Sequence, residues 1–599
     1  MRCFAFFFVL IFSVNGYSQD STKVDSVLSN SADKFTIKNS VNINGVYEGF
    51  SYEEYIWSDR RSLPEIFQTR NNYRVYNKGN GQNNIVIFDD FNSLRYYKDG
   101  FKINSFDTEL ISINEVDKVQ EMSIISSMLY SDYINEGAVV NIVTKDVIQN
   151  EPFSQLRYTQ DRFGALAADV YFSQSLSERL NYQFGVTNSS SDGRYTNSRF
   201  SKWAGRFRVN YFINSDFNIK SNFNFATIDR GDFGGLINDS SQTVVNDTLK
   251  NYLNHLTINT GLYFKPFKNK NNLSKILFSF QRYGQDFYNP QIREHSPAYS
   301  NSYNLILNQI INIPFQAFNS SYLEFYSSIE RIENQTNSFN YLNIFSRFEL
   351  SNNKLLLAGY LNLKSNDVQN TFNSPTSGWT HKLIPGIEVD YTAYKDEIFR
   401  LKFYSGVNYV GEKNSDNSIK SNINGLIGVG INYYDLYFKI QYLSNGIINN
   451  LEYNSNIPVY ENIFNKSFSV KLKYHISNIY FDITNDFYPD KENLNILNGN
   501  IYYGNKLFKD KLDLRTGFLV KYYKGITSLY NYKTANTIKN DVINLDFYVG
   551  ARIGSANVSF TLANLFNRFN YDTYLYPYDD RGGLLNLVSR FTIVWDFLN

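Results

Sequence analysis

Four histidines, His255, His295, His381 and His475, are the side chains of this 599-residue chain best suited to metal or proton chemistry. Their spacing repeats in no way that would gather them into one ligand set. Asn289-Pro290-Gln291-Ile292 ahead of His295 could present that ring from a loop, as a haem-binding segment would, but a proline turn carrying a solvated histidine is the better account, and haem is not assigned. The charged clusters Asp229-Arg230-Gly231-Asp232 and Asp579-Asp580-Arg581 read as solvated connections between elements. No Gly-x-Ser-x-Gly nucleophile elbow accompanies a histidine. The sequence therefore assigns no catalytic residue, no cofactor and no metal, and the chain reads as a protein that is not an enzyme. A net charge of +1 gives no reason to expect a nucleic-acid partner.

The elements that would hold any site are legible in the last residues. From Asn586 to Asn599 the apolar residues Phe591, Ile593, Trp595 and Phe597 take every second position, with Arg590, Thr592 and Asp596 between them. Such alternation marks a strand with one face to lipid and the other to a wet lumen. Ile543 to Ile553 and Val558 to Leu562 repeat it around a Gly554-Ser555-Ala556-Asn557 turn, as a hairpin does. Leu512 to Tyr522 forms a further strand, in which Arg515 and Lys521 must face the lumen because lipid would penalise them. Composition agrees: aromatics make up 17%, with 49 Tyr and 50 Phe, while mean hydropathy is −0.38. A barrel needs apolar surface on only half of its strand positions and so scores as polar overall. At roughly 20 residues per strand and turn, residues 150–599 supply about 22 membrane strands of about 9–11 residues each, which leaves little for long loops. A barrel of that size has a plugged lumen.

At the start, Met1-Arg2, the apolar run Phe4 to Phe12 and the small-residue exit Gly16 to Gln19 read as a secretory leader over 1–19. Cys3, the only cysteine, precedes that run, so the mature chain would hold no disulfide. Residues 20–45 read as a flexible periplasmic segment, 46–148 as a small α+β domain and 149–599 as the barrel. Within the small domain Ser62-Leu63-Pro64-Glu65-Ile66-Phe67 predicts a short helix with Ser62 as N-cap. Asn84–Phe88 and Leu94–Tyr97 predict strands, Lys98-Asp99-Gly100-Phe101 a tight turn, Val116–Ile125 a strand, and Ala138–Val143 a buried strand.

These segments resemble the TonB-dependent receptors of the Gram-negative outer membrane, over nearly the whole mature chain. Lys98-Asp99-Gly100-Phe101-Lys102-Ile103-Asn104 is similar to a plug turn of that family, Ile113 to Glu121 to its segment ending in an acidic strand residue, and Gly137-Ala138-Val139-Val140-Asn141-Ile142-Val143-Thr144-Lys145 to its closing plug strand. Asp192-Gly193-Arg194-Tyr195-Thr196-Asn197-Ser198 resembles an early barrel motif. Ser559 to Tyr571, with Asn564-Leu565-Phe566, resembles the penultimate-strand signature, and Tyr576-Pro577 with Arg581-Gly582 the turn before the last strand. The resemblance implies a multi-pass barrel in the outer membrane that binds an extracellular ligand and imports it on contact with TonB in the periplasm. Val24, Asp25, Ser26, Val27 and Leu28 are the candidate coupling segment, to be captured by strand addition. Asp89 and Asp90 are the candidate ligand-facing residues at the plug apex. The chain departs from the family pattern at Phe88-Asp89-Asp90, where the family has Arg-Gly, and over Glu121 to Asp132, which lacks the usual arginine and glycines. Lost glycines imply altered loops and a less mobile plug. The alternative reading is a non-transporting scaffold of an outer-membrane complex, with a surface lipoprotein as a possible partner.

Overall fold

The structure is a computed structural model. It describes residues 41–597 apart from 46, 58–61, 68–72, 78–82, 88–93, 105–107, 109, 131–137, 149–150, 162–163, 194–195, 234–243, 245, 267–271, 292, 336, 371–379, 397, 414–418, 449–462, 491–493, 529–537 and 567–586. Twenty-two strands, from β8 (Phe153–Asp161) to β29 (Val588–Phe597), pair antiparallel each with the next. The ring closes where β29 meets β8, with Arg590 opposite Asp161 and Phe597 opposite Ser154. Alternation drives the closure. On β29 Phe591 and Trp595 stand 42% and 47% exposed on the outside, while Thr592 and Val594 between them are buried inside. The same phase puts Leu307, Ile329, Ile344, Leu363, Phe403 and Ile427 on the outer face and Asn210, Asn259, Asn362 and Asn424, all buried, on the inner one. The interior of this protein is thus polar and hydrogen-bonded, and its exterior is the apolar surface.

The strands run longer than the 9–11 residues expected. β13 (Lys250–Phe264) has 15 residues and β15 (Glu294–Asn312) has 19. Hydrogen-bonded pairing continues past the length a bilayer requires, so the wall stands beyond the hydrocarbon. At one end the hairpins are tight: Ser177 to Leu180, Asn214 to Phe217, Tyr433 to Leu436, Ile476 to Ile479 and Ile553 to Ala556 each leave two residues between strands. Tyr434, Ser477 and Gly554 take positive φ there, as such turns require. The other end carries the longer connections, among them residues 232–249 and 564–587.

Inside the ring sits a five-stranded sheet in the order β1 (Tyr47–Ser51), β6 (Val116–Met122), β7 (Ala138–Thr144), β4 (Leu94–Lys98), β5 (Phe101–Ile103), with β4 and β7 parallel. A separate hairpin pairs β2 (Tyr73–Asn77) with β3 (Asn83–Ile87). Phe50, Leu63, Phe67, Ile113, Val119 and Ile142 belong to the sheet's own core. A second apolar cluster joins it to the wall, with Ile43, Phe101, Met128 and Leu129 packed among Tyr263, Leu277, Phe345 and Val410.

Two local expectations are corrected. The strand predicted over Val116–Ile125 ends at Met122, and Ile124–Tyr130 is a helix. Ser123 starts it: its hydroxyl accepts from the Ser126 amide at 3.1 Å, as an N-cap does, and its carbonyl accepts from Ser127 at 2.8 Å. The helix Leu63–Phe67 is present, but Ser62 caps it through its carbonyl, which accepts from the Glu65 amide at 3.2 Å. The Ser62 hydroxyl is buried without a partner among the described residues.

Candidate functional site

Chemistry concentrates where the inner sheet meets the wall, along two polar seams. The first lies against β9 (Leu166–Ser177), β11 (Phe200–Asn214) and β12 (Phe217–Gly231). A short 3-10 turn, Ile113–Glu115, delivers two side chains to it: Asn114 Nδ2 donates to Asp169 at 3.1 Å, and Glu115 pairs with Lys98 at 2.9 Å and with Arg206 at 3.4 Å. Arg206 grips Asp169 through both terminal nitrogens, at 2.7 and 2.9 Å. One turn of chain away, Asp99, held at φ 54°, accepts from the Thr144 amide and hydroxyl at 2.8 and 2.6 Å and from Arg208 at 2.8 Å. Asn141 bridges to Gln120 at 2.6 Å and accepts from the Gly100 amide at 3.1 Å. The Asp-Gly turn and the Val-Asn-Ile-Val-Thr-Lys strand read from the sequence are therefore one bonded unit, held to the wall by Arg208.

The linker that follows is charged and only partly buried. Asp146 pairs with Lys220 at 2.5 Å; burial alone would raise its pKa, but Lys220 and Arg208 hold it below the usual carboxylate range. Lys145 lies 3.4 Å above the Tyr52 ring and 3.3 Å from Gln155 Oε1, and burial lowers its pKa to about 7 against the opposing pull of Asp596.

The second seam holds the helix Ile124–Tyr130. Ser126 Oγ donates to Glu388 at 2.6 Å, and Arg347, fully buried, lies 3.0 Å from Glu349 and 3.6 Å from Glu388. The helix's C-terminal carbonyls, which have no partners within a helix, are met by the wall. Lys364 donates to Met128 O at 2.8 Å, and Asn362 and Asn343 each donate to Leu129 O at 3.0 Å. The lysine also suits the negative end of the helix dipole. Tyr360 donates to Ile125 O at 2.8 Å, its ring lying across Gly386, where a Cβ would fall 2.2 Å from it. Tyr130 closes the seam edge-on against Tyr326 and Phe345.

Beside this helix, in the half of the wall nearer the long connections, is a narrow recess of about 20 Å³, room for about one water, lined in part by Lys102, Asn304, Glu330, Tyr341, Lys364 and Asn366. Lys102 pairs with Glu330 and lies 5.2 Å from the Tyr341 ring centre. Two ammonium groups, a carboxylate, amides and an aromatic face give it a polar lining, in which Lys102 is held by Glu330 and Lys364 by the Met128 carbonyl.

The residues singled out in the sequence are placed as follows. Val24, Asp25, Ser26, Val27 and Leu28, Asp89 and Asp90, and Asp579 to Arg581 all lie outside the described residues. The histidines are far apart in the wall: His255 contacts Thr257 at 3.1 Å, His295 stacks on Tyr288 with Asp286 at 2.8 Å, His381 meets Ser365 at 3.0 Å, and His475 stacks on Tyr480. Among the described residues no three His, Cys, Asp or Glu side chains converge on a metal position. Asp229 to Gly231 are not a solvated turn but the end of β12, with Arg230 buried inside. Asn564 ends β28 (Ala556–Ala563) at φ 56°, its amide donating to Asp546 at 2.7 Å. Arg206, Asp169, Arg347, Glu388 and Lys364 went unmarked in the sequence, although each is a charge in the lumen phase of a strand.

No family model matches the sequence, and no curated protein matches it. Solved structures do. FpvA of P. aeruginosa bound to heterologous pyoverdines superposes with a TM-score of 0.73 at 12% identity, over 92% of this chain and 86% of that one. The FrpB iron transporter of Neisseria meningitidis gives 0.72 at 10%, over 92% and 100%. The siderophore receptor PirA of Acinetobacter baumannii gives 0.70 at 11%, over 92% and 98%. The chain has the plugged-barrel fold of the TonB-dependent siderophore receptors. In the terms of that fold the inner sheet is the plug, and both seams bind plug to barrel.

Proposed function

We propose that this chain is an outer-membrane receptor of a Gram-negative bacterium that takes in an extracellular ligand above the plug and imports it when TonB, in the periplasm, displaces the plug. The observation that carries the reading is a closed 22-strand ring with a sheet seated inside it, held to the wall in part by polar, hence exchangeable, contacts such as Asp99 to Arg208 and Ser126 to Glu388. The tight hairpins then face the periplasm and the longer connections the outside, as in outer-membrane barrels generally. Lipid meets the apolar outer face. The polar surface with Lys102, Lys364 and Tyr341 lies on the extracellular side of the helix Ile124–Tyr130, where an arriving ligand would first meet the plug.

Deleting Asp20 to Asn30 should abolish uptake while leaving a folded, heat-modifiable barrel in the outer membrane. Ferric chelates are the first solutes to assay, since FpvA, FrpB and PirA are described as pyoverdine-bound, an iron transporter and a siderophore receptor. Uptake that survives the deletion contradicts the reading. The scaffold reading draws on the second seam, where the helix Ile124–Tyr130 is bonded to buried wall residues, Ser126 to Glu388, Met128 to Lys364 and Leu129 to Asn362. A stoichiometric partner set, including a surface lipoprotein, in affinity purification from detergent-extracted outer membrane would favour it.

A further inference from the structure

Trp57 sits at the periplasmic side of the plug, directly after the helix Tyr52–Tyr55, and its indole is 4% exposed. Its neighbours are wall residues near the tight-hairpin ends of β26 (Leu512–Ser528) and β27 (Ile538–Ile553). The Arg515 guanidinium lies 4.2 Å from the ring centre and that of Arg552 5.2 Å. Gly550, the register partner of Arg515, floors the space: a Cβ there would come within 2.9 Å of the indole Cε3. The wall is therefore shaped for this ring, with a cation on two sides and no side chain beneath. Arg515 also lies 5.7 Å from the Tyr502 ring, which stacks on Tyr480 at 4.7 Å, so the socket continues into a row of wall aromatics.

The contacts differ in kind from those of the second seam. Arg552 is a third exposed and pairs at 3.0 Å with Glu53, itself about two thirds exposed, so water reaches both partners and screens them. The indole Nε1 is buried with no hydrogen-bond partner among the described residues, so leaving the socket restores its hydration. At Ile124–Tyr130, by contrast, Arg347 and Glu388 are buried and bonded.

We propose that Trp57 in the socket of Gly550, Arg515 and Arg552 is a releasable latch that fixes the N-terminal part of the plug, β1 and the helix Tyr52–Tyr55, to the periplasmic half of the wall, and that it parts independently of the buried seam at Ile124–Tyr130. The purpose of the latch rests on the import reading, since traction from TonB would arrive along the N-terminal segment; its existence does not. Trp57→Ala removes the ring, Gly550→Ala pushes it out with the ring intact, and Trp57→Phe keeps an aromatic face between the arginines.

The test uses the full chain in detergent, with Cys3→Ser and a nitroxide on Ser51→Cys in one series and on Asp117→Cys, in β6, in another. In Trp57→Ala and in Gly550→Ala the population of the mobile spectral component at Ser51→Cys should rise about fivefold, the factor that a loss of about 1 kcal/mol gives. It should stay unchanged at Asp117→Cys and be restored in Trp57→Phe. A spectrum at Ser51→Cys that neither substitution moves, or equal mobilisation at both positions, overturns the latch. Heat-modifiability checks that each variant keeps its barrel. Because the spectra need no ligand, a failed latch is distinct from a failed import reading, which the uptake assay of the Asp20 to Asn30 deletion decides.

Discussion

Arg347 holds the wall side of the second seam, because a guanidinium with no exposure to water must keep its carboxylates, Glu349 and Glu388, the second of which accepts from Ser126 of the plug. Arg347→Ala leaves Glu349 and Glu388 facing each other without their cation, and removing one partner of a buried pair costs about 3–5 kcal/mol. Limited proteolysis of the plug across a urea series should detect this as cleavage at lower urea than in the wild type. Lys145 makes the opposite case. Burial lowers its pKa from 10.5 to about 7, so between those values the unfolded chain holds the proton that the folded chain releases. Stability contributed by this group therefore climbs as pH rises from 7 toward 10.5, and is lost as pH falls through 7. Thermal unfolding in detergent should show that slope, and Lys145→Met should flatten it while raising stability at pH 7 by a few kcal/mol, on the order of the shift. Arg347 did not announce itself in the sequence, and Lys145 was legible only as the end of the closing plug strand. A lumen-phase charge looks the same whether it meets water or a plug, and Arg347 finds its partner Glu388 two strands away.

At the scale of elements, the helix Ile124–Tyr130 replaces the stretch in which arginine and glycines were missed from the family pattern. Its apolar, β-branched start, Ile124-Ile125, continues the preceding strand pattern, which is why a strand is the natural reading of Val116–Ile125; the deciding signal is Ser123, whose hydroxyl caps the turn. Ser123→Ala should cost about 1 kcal/mol, seen as roughly fivefold faster amide hydrogen exchange over Ile124–Tyr130 with β6 and β7 unchanged; an unchanged rate would mean the wall alone holds the helix. The barrel strands were readable because period-two alternation depends only on which face meets lipid. Their lengths were not, since pairing that continues above the bilayer keeps the same alternation. The closing plug strand was readable for a different reason: its Asn141 and Thr144 are fixed by bonds within the plug, to Gln120 and Asp99, so the motif carries its own partners inside one small domain.

At the scale of the molecule, the apolar ring, the polar lumen and the seated plug form one closed wall with two kinds of plug attachment: buried at Ile124–Tyr130 and screened by water at Trp57. That difference reconciles a plug that looks tied down with a chain whose fold is that of import receptors, since only part of the plug has to let go. The sequence motifs at the plug's end and the barrel's end were enough to name the architecture; the seams that decide whether the plug can move lie between residues hundreds of positions apart, such as Ser126 and Glu388, and needed the folded chain. The most direct test of a plug that closes the lumen and can be displaced is the conductance of the full chain in a planar lipid bilayer, recorded before and during a reversible urea step. The account predicts a silent protein that opens in discrete, large steps in urea, returns to silence on washing, and opens at lower urea in Arg347→Ala. A steady open conductance without urea, or a barrel that stays silent while its plug becomes protease-accessible, would contradict it.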